Sequence, residues 1–305
     1  MDLLLTQAQA KLRSELADAG FAAFADRFVQ SSRSAAHFSC SLKEDDEIPV
    51  GASKVGGSPD LPSHFPWPKH RRMQRQLLPN LAWRERKIVG PQSEEHLSFV
   101  AQLNLADVDP GWIDLEMPRH GLLTFFYDAE QQPWGFDPID KGGWQLAWVD
   151  TATSKLVRTA QPDPQAITFY PARLEPKLLL TFPEQVVTIL NLEEQRAAAF
   201  FEFLDGRRKD GVQFGGDPAL IQGQMEEECD YVSRGYYMGD PEGYNEARAA
   251  CPGADIAQWR LLLQISSIDA AGIMWGDEGN LYVWARASDI KQRRFEDAWT
   301  ILQCT

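Results

Sequence analysis

Cysteine is scarce in this 305-residue chain: Cys40, Cys229, Cys251 and Cys304 lie far apart, and no two form a C-x-x-C pair. That spacing excludes a disulfide-stapled scaffold and a cysteine-based zinc site. Positive charge is also short. Thirty Lys and Arg face 44 Asp and Glu, a formal net charge of −14. Such a balance argues against nucleic acid and anionic membranes as partners, and it suits a basic protein partner. The five histidines are His37, His64, His70, His96 and His120. None stands four residues from another and H-E-x-x-H is absent, so no metal site is expected. G-x-S-x-G, G-x-G-x-x-G and Gly-Lys-Ser/Thr are missing too. Their absence removes the nucleophile elbow, the dinucleotide fingerprint and the phosphate-cradling loop. No asparagine is followed by Ser or Thr at +2. No apolar run approaches the ~18 residues of a membrane span. The opening Met1-Asp2-Leu3-Leu4-Leu5-Thr6 lacks the basic start of a signal peptide. These absences together read as a cytoplasmic protein with reduced thiols, no cofactor and no recognisable catalytic residue.

What is present suits a packed core. The hydrophobic fraction is 44% and the charged fraction 24%, with 16 Phe and 10 Trp. This is enough for one large domain or two of ordinary size. The charge is uneven. Lys69 to Lys87 holds seven Lys or Arg against one acid, and Leu192 to Asn245 holds five against twelve. The basic 69–87 stretch reads as a solvated loop face, with a local anion site as the sharper alternative.

Residues 1–36 read as helical, with Thr6 and Gln9 as a capping box and Phe21, Phe24 and Phe28 as an apolar stripe. Beyond Leu42 strands dominate. Leu97, Phe99, Ala101, Leu103 and Leu105 fall on one face of a period-two strand and Ser98, Val100, Gln102 and Asn104 on the other, which predicts one buried strand face. Further strands are expected at Leu122–Tyr127, Trp144–Val149, Leu178–Phe182, Val186–Leu190, Trp259–Ile265, Asn280–Ala285 and Ala298–Cys304. A helix should begin at Asn191 and end at Gly206, and residues 223–253 read as a helical, loop-rich excursion.

Three landmarks occur twice in the same order. Val55-Gly56-Gly57-Ser58-Pro59 is echoed by Phe214-Gly215-Gly216-Asp217-Pro218. Phe99-Val100-Ala101-Gln102-Leu103 is echoed by Leu261-Leu262-Leu263-Gln264-Ile265, and the Gly121–Phe126 strand by Gly279–Trp284. The reading is an internal duplication giving an α+β fold of mostly antiparallel sheets with N-terminal helices. The segments expected are an N-terminal helical part (1–50), a first β-rich repeat (51–191) and a second (192–305), packed as one globular unit.

Ser53-Lys54-Val55-Gly56-Gly57-Ser58-Pro59-Asp60-Leu61-Pro62, followed by Phe65-Pro66-Trp67-Pro68, resembles the opening signature of the YwqG-like family of bacterial proteins. So do Leu97–Asn104, Pro133-Trp134-Gly135-Phe136-Asp137, Met274-Trp275-Gly276-Asp277-Glu278-Gly279 and the 299–304 tail. The resemblance covers roughly residues 50 to 305. It implies a mostly antiparallel α+β fold and a domain of unknown function. Some members resemble neighbours of polymorphic-toxin loci, which implies an immunity or partner-binding role.

The candidate site residues are few. Asp137 and Asp277 each follow a Trp-Gly turn, and either bond their own backbone or face one cleft as paired carboxylates. Gln102 and Gln264 hold matching repeat positions, and either pin the Gly-Gly-x-Pro loops or line a polar pocket. Trp134 and Trp275 accompany the two aspartates, and Trp67, between prolines, is the candidate exposed anchor. Two functions follow. One is a non-enzymatic protein-binding module, of toxin-immunity type, with a basic partner. The other is a small-molecule-binding protein or enzyme with a polar cleft between the repeats. A structural module of a larger assembly is a third.

Overall fold

The computed structural model describes residues 3–75, 88–207 and 210–305. Helices α1 (Leu3–Asp18) and α2 (Ala25–Ser31) lead into strand β1 (Arg33–Leu42). There follow β2 (Lys54–Val55), β3 (Asp60–Pro62), β4 (Lys69–Arg75), β5 (Ile88–His96), β6 (Ser98–Asn104), β7 (Leu122–Tyr127), β8 (Trp144–Val149), β9 (Leu156–Arg158) and β10 (Ala172–Thr181). Next come α3 (Val186–Ile189), α4 (Glu194–Asp205), β11 (Val212–Phe214), α5 (Glu226–Ser233) and α6 (Pro241–Ala250). The chain closes with β12 (Trp259–Ser266), β13 (Asn280–Arg286), α7 (Ala287–Gln292) and β14 (Trp299–Gln303).

Ten of these strands form one antiparallel sheet, in the order β14-β13-β12-β11-β1-β10-β2-β6-β7-β8. The fold is therefore α+β and mostly antiparallel, with N-terminal helices. The order reads the same from its centre outward. On one side β1 is followed by β11, β12, β13 and β14; on the other β10 is followed by β2, β6, β7 and β8. The duplicated landmarks occupy corresponding strands. Each half carries a β-bulge, between Phe99 and Ala101 and between Leu261 and Leu263. Each bulge carbonyl accepts the first glycine's N–H: Val100 from Gly56 at 2.9 Å, Leu262 from Gly215 at 3.0 Å. Gly56 has φ +62°, and a Cβ there would lie 2.3 Å from the Tyr170 carbonyl oxygen, so only glycine fits.

Several sequence expectations are corrected. Residues 33–36, read as helix, begin β1, which pairs with β10 over ten residues and with β11. Ala35 and Ala36 look helical locally, but the partners that make them a strand are far along the chain. Val186–Leu190, read as a strand, is the helix α3, because Val186 and Leu190 face the same apolar cluster one turn apart. Thr6 lies inside α1 rather than capping it. Asn191 has φ +51° and precedes α4, whose first residue is Glu194. The alternation in β6 does not place five residues on one face. The bulge at Val100 turns the strand over, so Leu97 and Phe99 join one core and Ala101, Leu103 and Leu105 another.

Three cores result. The largest is shared by both halves of the sheet. A second holds α1 to α4 against Leu180 and Phe182, with Phe28 stacked on Phe200 at 4.0 Å. A third lies outside β6–β8, under Leu61, Phe65, Trp67 and Leu156. Burying each large side chain contributes about 1.5–3 kcal/mol. The basic 69–75 part of the 69–87 stretch is β4, paired with β5; residues 76–87 lie outside the described residues. Among the described residues, no helix is long and apolar enough to cross a membrane.

Candidate functional site

The sheet curls until its two edge strands meet. Trp144 of β8 and Trp299, which opens β14, pack edge to face with centroids 5.0 Å apart. Trp144 Nε1 donates to the Ala298 carbonyl at 3.0 Å, and Trp299 Nε1 to the Gly135 carbonyl at 2.8 Å. The β7–β8 loop fills the remaining gap, and the Leu302 N–H of β14 donates to the Trp134 carbonyl at 3.1 Å. An open strand edge is thereby covered. Gly135 makes this approach possible. Its φ is +82°, and a Cβ would lie 1.9 Å from the Thr300 carbonyl oxygen.

Gln132 joins this loop to the second Trp-Gly turn. Its Nε2 donates to the Met274 carbonyl at 3.1 Å, and its Oε1 accepts from the Gly276 N–H at 2.8 Å. Three large apolar side chains project around this junction. Trp134 is 44% exposed, Met274 42% and Tyr170 69%. Tyr170 lies beside the same 269–278 turn region: its N–H bonds the Ala271 carbonyl at 2.8 Å and its ring lies over Gly272. Asp269, Asp277 and Glu278 are exposed nearby on the same turn region.

The side chains singled out by the sequence take separate roles. Asp137 is buried, and its Oδ1 accepts the Ile139 N–H at 3.2 Å, capping the short 138–140 turn. Asp277 is exposed, and its carbonyl accepts from Thr305 Oγ1 at 3.0 Å. The two turns also differ in place, since Trp134 follows β7 whereas Trp275 precedes β13, the strand that corresponds to β7. Trp275 is fully buried against Tyr127 and Phe169, at 5.4 and 5.6 Å. Trp67 is half-buried. It donates Nε1 to the Leu97 carbonyl at 2.9 Å and packs on Phe126.

Gln102 and Gln264 are spent on the Gly-Gly-x-Pro loops. Gln102 Oε1 accepts the Asp60 N–H at 2.8 Å, and its Nε2 donates to Ala52 O and Asp60 Oδ2 at 2.8 and 2.7 Å. Gln264 Oε1 accepts the Ala219 N–H at 2.8 Å. Lys54 and Gln213 also correspond, each donating to the carbonyl before the loop proline, Ser58 and Asp217. Lys54 is fully buried and pairs with Asp45 at 2.8 Å; Arg158 bridges Asp45 and Asp60. Burial drives the Lys54 pKa down, against the pull of Asp45 and Asp60.

Two further features escaped sequence reasoning. In the first, His70 and Arg72 of β4 converge on buried Asp128. His70 Nδ1 lies 2.7 Å from Oδ2, and Arg72 donates Nε and Nη2 to the two oxygens at 2.8 and 2.7 Å. Burial alone would raise the Asp128 pKa, but His70, Arg72 and the Gln131 N–H hold it well below the usual carboxylate range. Asp140 behaves oppositely. Burial pushes it up to about 6, despite a 2.9 Å bond from the Gly135 N–H.

The second feature is a cleft of about 580 Å³ beside the same loop. Phe136 contributes one wall, and residues 222–224, Met238, Asp240 and Tyr244 contribute others. Gln303 of β14 organises its rim, accepting from the Gln222 N–H at 3.1 Å and donating to the Gly223 carbonyl at 2.9 Å. The Met238 N–H bonds the Phe136 carbonyl at 2.8 Å, tying the halves together. Inside the cleft the Tyr244 hydroxyl donates to Glu228 Oε1. Burial raises the Glu228 pKa, opposed by that hydroxyl and reinforced by Glu227 and Glu226. Asp137, Asp277, Gln102 and Gln264 are not among its lining residues. Among the described residues, no group of three or more His, Cys, Asp or Glu could hold a metal ion.

A search among curated proteins finds none that matches this chain. Residues 53–304 match a family described as "Domain of unknown function (DUF1963)", and this span takes in both halves of the sheet from β2 to β14. The chain belongs to that family.

Proposed function

We propose that the protein is a non-enzymatic binding module that meets a basic protein partner at the seam of its curled sheet. The observation that carries this reading is the surface formed by Trp134, Met274 and Tyr170. These are large apolar side chains exposed on turns that hydrogen bonds to the sheet and to each other hold in place. Exposed aromatic and Met side chains on rigid elements are the usual anchors of protein interfaces. Carboxylates on the same turns and a net charge of −14 supply complementarity to a cationic surface. The resemblance to YwqG-like bacterial proteins adds a toxin-immunity role in the cytoplasm to this proposal. The sequence-selected polar residues support it from the other side, because Gln102, Gln264 and Asp137 spend their hydrogen bonds on turns rather than on an open site.

The test is capture from the native cell lysate at low and high salt, with the wild type and a Trp134→Ala/Met274→Ala variant. The reading requires one stoichiometric basic partner, lost at high salt and lost with the folded variant. A partner that is indifferent to salt, or retained by the variant, overturns it. A second reading, a small-molecule site between the repeats, draws on the cleft beside Phe136.

A further inference from the structure

We propose that this cleft is a guanidinium pocket, which receives an arginine side chain of the partner; the inference rests on the binding reading above. The lining of the cleft already includes one guanidinium. Arg248 lies over the Tyr244 ring, 5.6 Å from its centroid, and donates Nε and Nη2 to the two oxygens of Glu227 at 2.7 and 2.6 Å. That pair is internally neutral. The neighbouring carboxylate is not balanced. Glu228 is half-buried, bonded to the Tyr244 hydroxyl, and pairs with no cation among the described residues. Asp240 adds a second negative charge, with Oδ1 engaged in capping α6 through the Gly243 N–H at 2.7 Å.

A desolvated carboxylate without a counter-ion is costly, and a cation entering the cleft relieves that cost. The walls favour arginine over lysine. Phe136 offers aromatic surface, on which a weakly hydrated planar guanidinium stacks while its fork meets a carboxylate; Tyr244, whose ring Arg248 already covers, contributes the hydroxyl that holds Glu228. Met238 supplies an adaptable apolar surface for the aliphatic stem. The volume of about 580 Å³ accommodates the whole side chain. The cleft and the Trp134 surface share one loop, since Phe136 is two residues from Trp134.

The experiment titrates the intact protein, at low salt, with N-acetyl-arginine methylamide and with its neutral citrulline counterpart, followed by calorimetry and by NMR. The arginine compound should bind at least ten-fold more tightly than citrulline. Glu228→Gln should remove at least ten-fold of that affinity, and Phe136→Leu a few-fold, with both variants retaining the wild-type Tm. Equal binding of the two compounds, no binding at millimolar concentration, or an unchanged affinity in folded Glu228→Gln overturns the pocket. The wild-type comparison of arginine with citrulline decides the matter even if a variant fails to fold. A silent probe together with Trp134-dependent partner capture removes this inference alone. A probe that binds while capture fails removes the partner reading, and with it the partner's arginine as occupant, and leaves only the guanidinium affinity of the cleft.

Discussion

Gln102 and Gln264 stand at equivalent positions in the two halves of the sheet, and each side-chain oxygen accepts, at 2.8 Å, the backbone N–H three residues beyond the second glycine of its loop. The shared geometry explains why a long amide stands there in both copies. A buried loop N–H needs an acceptor that reaches from the adjacent strand, and glutamine supplies one without charge.

Removing either amide should therefore destabilise the protein rather than abolish a binding activity. Gln102→Ala strips three hydrogen bonds and exposes the buried Asp60 carboxylate to a missing donor. Its cost should be about 2–3 kcal/mol, against about 1–2 kcal/mol for Gln264→Ala. Urea unfolding measures both. If Gln264→Ala keeps full stability yet loses a partner or ligand, the loop-pinning role is wrong.

The seam depends on glycine at position 135. Gly135→Ala combines a left-handed backbone with a collision against the Thr300 carbonyl. It should cost well over 2 kcal/mol and alter the environment of Trp144 and Trp299. Gly20→Ala is the control. Position 20 has φ +87° but nothing within 4 Å of a new Cβ, so only about 1 kcal/mol should be lost. Thermal unfolding followed by tryptophan fluorescence compares the two, and equal losses would show that the close approach is unimportant.

Asp140 should make the protein less stable as pH rises. Its folded pKa, about 6, lies above the ordinary 3.8, so the folded state binds the proton more tightly. The group's penalty is absent below about pH 4, grows through pH 6 and is complete above it. Asp140→Asn keeps an acceptor for the Gly135 N–H and removes the charge. Its stability relative to wild type should rise between pH 4 and 7, by at most about 3 kcal/mol. A flat difference across that range would contradict the burial of this carboxyl.

Asp128 has the opposite sign. Its folded pKa is depressed, so its contribution is present at neutral pH and is lost as pH falls below the ordinary carboxylate range. Arg72→Ala removes two of the three side-chain bonds to buried Asp128 and leaves it beside His70. A loss of about 3 kcal/mol is expected, with faster amide exchange in β4 and β5 than elsewhere. Uniform exchange protection across variant and wild type would show that the hairpin is held by other contacts.

Local pattern made a good part of this readable. The paired Gly-Gly-x-Pro loops, the Gln strands and the aromatic strand at 122–127 announce two similar halves, because backbone turns and period-two burial leave short-range marks. The edge-to-centre order of the ten strands carries those same marks into space. The two sequence-selected Trp-Gly turns do come together, yet through Gln132, a residue whose type and neighbours announce nothing.

The rest depended on distant segments. Ala35 and Ala36 are strand residues because β10 and β11 arrive on either side, and the bulge at Val100 reverses a face that alternation alone predicts as continuous. Asp128 finds His70 58 residues away, and the Phe136 carbonyl finds Met238. Periodicity tells which residues seek burial and which turns need glycine, since those are properties of adjacent atoms. Which carboxylate is left without a cation, and which loop covers an open edge, is settled only when the sheet curls. That step brings together groups whose contact energies depend on partners far away in the chain.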